Sequence, residues 1–207
     1  MPTTRGLDRL VFFTDAVTAI AITLLILPLV DSVTEAAKSG LSPTQFLADN
    51  VFELAAFALS FVVIARLWVA HHSTFEHIAA YNRPLLLLSL TWAFTIVFLP
   101  LPTAMISQFD AVPATIALYI GTMAASSLTV TVIVLLVRRH PLLELESNPI
   151  DDRKVFANIV TTTCFLVALL VGTLVPVINF FALLLLLLGS PLQAIYDRRA
   201  RNSAAPR

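Results

Sequence analysis

The chain has 207 residues, of which 58% are hydrophobic and 13% charged, and its 13 basic and 13 acidic side chains cancel to a formal net charge of zero. A soluble domain carries about 25% charged residues, so this composition excludes an ordinary water-soluble fold and places the chain in a bilayer.

The apolar runs fall at 10–30, 51–70, 84–106, 113–137, 155–175 and 177–195. Each is close to the roughly 20 residues that a spanning helix needs. The expectation is an all-α polytopic membrane protein in which residues 1–207 form a single domain of six transmembrane helices. The first run, "LVFFTDAVTAIAITLLILPLV", is too long for the core of a secretory signal and is expected to stay attached. The second holds Glu53 in its first turn and Arg66 in its last, both near enough to an end to reach the interface. The fifth holds Cys164, the single cysteine, so neither an intrachain disulfide nor a thiolate metal cluster is available. The last contains the uniformly greasy "ALLLLLLG".

Of the 13 basic residues, Lys38 alone falls in a connection on the far side. Arg5, Arg9, Arg66, Arg83, Arg138, Arg139, Arg153, Lys154, Arg198, Arg199, Arg201 and Arg207 share the other. The positive-inside rule then puts both termini and the segments 71–83 and 138–154 in the cytoplasm of a multi-pass cell-membrane protein. The basic tail "DRRARNSAAPR" reads as an orientation and headgroup anchor rather than a nucleic-acid arm. Pro28, Pro100, Pro102, Pro113 and Pro176 lie near span ends, which predicts continuous helices at mid-membrane.

Between the second and third runs, "HHSTFEHIAAYNR" holds His71, His72, Glu76 and His77. With His140 as the only other histidine, this is too few ligands for a membrane di-iron centre, and no metal site is expected. No HExxH, GxSxG or Walker pattern occurs, so neither hydrolysis nor nucleotide chemistry has its parts, and an enzyme is not expected.

Asp15 is the residue that the bilayer makes costly. It lies about 9 Å deeper than Arg9 and about 240° around the helix from it, so the two cannot pair along α-helical geometry. An ionised group at that depth needs a partner. The end of the second run, "ARLWVAHHS", offers Arg66, Trp68, His71 and His72 at the same level. A polar lock between the spans is one reading; a helix-start residue complementing the macrodipole is the other, and that role suits Asp8 better. Beyond Asp15, Ile20, Leu24 and Leu27 follow an i, i+4, i+7 spacing with Thr23 beside them and Ala16, Ala19 and Ala21 on other faces. Such a stripe faces a central axis, a neighbouring helix or lipid, and spacing alone does not choose.

"RLVFFTD" (Arg9, Phe13, Thr14, Asp15) followed by "AVTAIAITLLILPL" resembles the Arg-x-x-x-Phe-Ser-Asp signature that opens the first helix of the transmembrane-protein-175 potassium channels, with the bacterial single-repeat members most similar. The likeness continues through "LWVAHHSTF" and "FLPLPTAMIS". Thr14 stands where that family usually has serine, and keeps the hydroxyl. The resemblance implies a homotetrameric, potassium-favouring cation channel lined by the first helix of each chain. Its apolar constriction would fall on Ile20, Leu24 and Leu27, with Thr23 at a hydroxyl position implicated in favouring potassium. Arg9, Phe13, Thr14 and Asp15 would be scaffold, tied to Trp68 and to His71 or His72.

The five glycines, at 6, 40, 121, 172 and 189, form nothing like a Thr-Val-Gly-Tyr-Gly filter. Selectivity would then rest on pore width, dewetting and Thr23, with potassium as the permeating ion and no cofactor. The alternatives are a secondary transporter, which calls for broken helices at mid-membrane, and a membrane scaffold that transports nothing.

Overall fold

The computed structural model describes residues 4–109 and 112–175. The expected sixth span at 177–195, Pro176 and the basic tail lie outside the described residues. The described chain is all-α, with eight helices: α1 (Thr4–Leu24), α2 (Leu27–Lys38), α3 (Pro43–Asp49), α4 (Val51–Phe75), α5 (Arg83–Phe98), α6 (Pro100–Gln108), α7 (Pro113–Arg139) and α8 (Asp152–Leu174). They make five stretches long and apolar enough to cross a membrane: Arg5–Lys38, Val51–Phe75, Arg83–Gln108, Pro113–Arg139 and Asp152–Leu174.

Two of these stretches are broken, each beside a proline near the end of its apolar run. Pro28 has no N–H to give the Leu24 carbonyl and its ring crowds that oxygen. The helix therefore yields at Leu25 and Ile26, where the Leu25 N–H tightens onto the Ile22 carbonyl at 3.3 Å. Pro100 does the same to the third stretch at Leu99, whose N–H bonds Ile96 O at 3.2 Å before α6 begins. Both prolines sit where span-end prolines were expected, but the chain stays helical beyond them.

The first stretch is also longer than its apolar run. At 1.5 Å per residue its 34 residues reach about 51 Å, against a hydrocarbon core of about 30 Å. Most of the expected outer connection, 31–50, is thus helical. Gly40, at φ +75°, ends α2 by accepting the left-handed conformation, with Gly40 N–H on Ala37 O (3.2 Å) and Leu41 N–H on Ala36 O (3.1 Å). Ser42 then caps α3, its hydroxyl accepting from Gln45 N–H while the Gln45 side chain returns to the Ser42 N–H.

α7 is the centre of the bundle and packs against α4, α5, α6 and α8. Its Tyr119, Ile120 and Met123 meet Ile64 of α4, Trp92 and Ile96 of α5 and Phe165 of α8 in one buried cluster, which Ala21 and Leu25 join from the first stretch. A second cluster closes the basic end of the bundle around Leu10, Phe75, Ile78, Leu85, Val137 and Leu143. Hydroxyls fasten the helices where apolar burial gives little drive, since lipid is as apolar as a side chain. The Tyr119 and Ser60 hydroxyls bond at 2.9 Å and Thr103 donates to Ser60 at 3.0 Å; Thr162 meets Ser127 and Thr131, each at 2.8 Å.

Candidate pore face and its supporting contacts

Helix α1 has two sharply different sides. Leu10, Thr14, Thr18, Ala21 and Leu25 recur at intervals of three and four and are buried. The Thr14 hydroxyl donates to Val11 O and that of Thr18 to Thr14 O, both at 2.8 Å, so neither enters the core with an unpaired proton. The other side is bare within one chain: Ile20 is 59% exposed, Leu24 39% and Leu27 50%, beside a fully buried Ala21. Thr23 shares the open side and donates its hydroxyl to Ile20 O at 2.8 Å. That bond commits the proton and leaves the lone pairs of Oγ1 outward. The helix break falls between Leu24 and Leu27, so the three residues do not form one straight stripe, although all three are exposed.

Asp15 is half-buried between these sides, and the indole N–H of Trp68 on α4 donates to its Oδ1 at 2.7 Å. The two spans are therefore joined at the level expected of a polar lock. The rest of the expected lock is arranged differently. Neither histidine hydrogen-bonds Asp15. His72 stacks on Trp68, ring centroids 5.1 Å apart, and so backs the indole that holds the carboxylate. His71 turns the other way, buried and stacked on Trp92 of α5 at 3.8 Å with Phe75 at 4.5 Å. Arg9 is exposed and pairs with no described residue, as its place around the helix from Asp15 dictates. Phe13 is exposed as well. Among the described residues no group of three histidine, cysteine, aspartate or glutamate side chains is placed to hold a metal ion.

Three contacts had no signal in the sequence, because each is made by single polar residues far apart in the chain. Glu53 does not simply reach for the interface: it accepts from Gln108 Nε2 at 2.8 Å and from the Ser32 hydroxyl at 3.5 Å, tying α2 and α6 beyond their breaks. Lys154 donates to the Ser73 carbonyl at 2.6 Å and to its hydroxyl at 3.0 Å. Arg138 pairs with Asp152 across the α7–α8 connection.

Residues 9–100, from α1 to the start of α6, match the family described as the endosomal/lysosomal potassium channel TMEM175. That match takes in somewhat less than half of the chain. A protein named as a potassium channel from Streptomyces collinus is 38% identical over 101 residues, which are 49% of this chain and 48% of that protein. The endosomal/lysosomal proton channel TMEM175 of Gallus gallus is 28% identical over 158 residues, 74% of this chain but 30% of its own length. The human protein of that name is 29% identical over 117 residues, 54% of this chain and 22% of its own. The matches thus span about half, or less, of the length of these relatives. A crystal structure described as a lysosomal potassium-selective channel TMEM175 homolog from Chamaesiphon minutus covers 98% of this chain and 100% of its own with a TM-score of 0.65; at 21% identity it shows a shared fold. The named relatives are channels, not enzymes.

Proposed function

We propose that the chain is one subunit of a potassium-favouring cation channel, a homotetramer in a cell membrane with both termini cytoplasmic. In it the open face of α1 from each copy surrounds the pore. The relatives named as potassium channels support the general reading. The observation that carries the specific one is the contrast on α1 between fully buried Ala21 and Ile20, 59% exposed one residue earlier. A helix packed on one side and bare on the other, in a chain whose relatives conduct, has its bare side free for an axis shared by several copies.

Rings of Ile20, Leu24 and Leu27 around that axis exclude water when narrow, and an ion crossing them loses hydration without replacement ligands. The outward lone pairs of Thr23 Oγ1 lie one turn beyond Ile20 and supply the nearest oxygen ligands. Asp15 and Thr14 act as scaffold for the pore helix, with Trp68, His72 and His71 behind them, while Arg9 and Phe13 stand exposed beside them. No cofactor is required. Potassium flux into liposomes holding the purified chain, driven by a gradient alone, is the test, and a protein that passes no current refutes a channel.

One observation favours a secondary transporter: the two broken spans. Leu25 is about 24 Å along the helix from Arg9, however, near the far interface rather than the midplane where such breaks hold substrate. A requirement for a coupled substrate in the same flux measurement would decide for it.

A further inference from the structure

We infer that the α4–α5 and α7–α8 connections form a clasp that grips the first turns of α1 and limits how far the pore helix moves. This rests on α1 lining the pore.

The two connections are zipped together by main-chain bonds although about 65 residues separate them. Ala79 N–H donates to Leu143 O at 2.8 Å and Leu145 N–H to His77 O at 2.8 Å, which makes an antiparallel bridge between Ile78 and Glu144. Side chains extend the pairing: His77 Nδ1 meets Asn148 O at 2.8 Å and Asn148 Nδ2 donates to Glu76 O at 3.2 Å, while within the α7–α8 connection Glu144 accepts from the Ile150 N–H at 2.7 Å. The ends are pinned too, since the Lys154 ammonium occupies a carbonyl of the last turn of α4, where a helix has no partner of its own and carries negative dipole.

This zipped pair meets α1 at one tight point. Gly6 lies against the Tyr81 ring so closely that a Cβ there would come within 2.6 Å of the hydroxyl oxygen and 2.8 Å of the ring. Leu7, Leu10 and Val11 of α1 then join Ile78, Tyr81, Leu143 and Ile150 in the second buried cluster. Hydrogen bonds to fixed backbone hold the connections, whereas among the described residues the first turns of α1 meet them by apolar contact and the Gly6 cradle. The helix is therefore the part that comes free. A dewetted constriction depends on its rings staying narrow, so a loosened α1 admits wider, wetted states.

The experiment is potassium flux and amide hydrogen exchange on the full chain in liposomes. Tyr81→Ala removes the ring, and Gly6→Ala pushes it aside. Each should raise flux by about threefold or more, as a modest bias on a two-state equilibrium does. The double variant should match a single one because both release the same contact. Tyr81→Phe keeps the packing and should conduct like wild type. Amides 8–12 should exchange faster in Tyr81→Ala alone among the tyrosine variants. Unchanged exchange there, or flux gains that multiply in the double variant, overturns the clasp. A wild type without flux overturns the pore reading instead, and leaves the exchange comparison to decide whether α1 is gripped.

Discussion

Trp68 and Asp15 come from different spans, and their 2.7 Å bond puts one charged acceptor against one strong donor in a partly desolvated place. Trp68→Phe keeps most of the packing and deletes the donor, so it should cost about 1–3 kcal/mol of stability, the penalty of an unpaired buried acceptor. Thermal unfolding in detergent should show it, and an unchanged midpoint would mean that water replaces the indole without loss. Arg9→Ala, with no described partner to lose, should stay within about 0.5 kcal/mol in the same assay. The face of α1 carries a second prediction. Ile20→Asn should raise ion flux and reduce discrimination between potassium and sodium. Ile22→Asn, about 200° around the helix and packed against the main core, should instead lower the yield of folded protein. Equal reversal potentials for wild type and Ile20→Asn would remove Ile20 from the constriction. At this scale the sequence showed the cost of Asp15 and the donors level with it, because depth follows from 1.5 Å per residue. It left open which donor acts. His71, His72 and Trp68 all lie within one turn or so, and only packing against Trp92 of α5, more than twenty residues away, takes His71 out of reach.

Span positions are legible at the level of the element because about 20 apolar residues in a row have few alternatives. Proline is harder, since its consequence depends on whether the chain continues helical beyond it. Pro28 and Pro100 look like span ends when only apolarity is counted. In the structure α2 and α6 continue, and Glu53 binds both segments through Ser32 and Gln108. Healing the first break tests what it does. Pro28→Ala restores the N–H that the Leu24 carbonyl lacks and removes the ring that crowds it. The first stretch should straighten, and spin labels at Ala19 and Val33, both exposed, should separate toward the roughly 21 Å of an unbroken helix. Straightening also turns Leu27 relative to Leu24, so flux should change along with the distance. A distance that stays as in wild type would assign the break to the Glu53 contacts rather than to proline.

Over the whole molecule the asymmetry of charge sets orientation. The basic end of the described bundle gathers Arg5, Arg9, Arg83, Arg138, Arg139, Arg153 and Lys154, while Lys38 stands alone at the far end of α2. Translocating an arginine-rich connection is costly, and short loops obey that bias whatever their net charge. The orientation proposed above runs the odd-numbered spans outward from the basic end, with 39–50 outside and 140–151 inside. A membrane-impermeant thiol reagent applied to intact cells distinguishes the two orientations. In a background where Cys164 is replaced by alanine, Lys38→Cys is exposed at the end of α2 and should be labelled. Glu146→Cys is equally exposed to water, in the α7–α8 connection, and should react only after the membrane is opened. Accessibility within the fold is therefore matched, and the membrane is the only barrier that differs between the two sites. Labelling of residue 146 from outside, with residue 38 protected, would invert the chain. It would also place the clasp and the Asp15–Trp68 bond at the outer mouth of the pore.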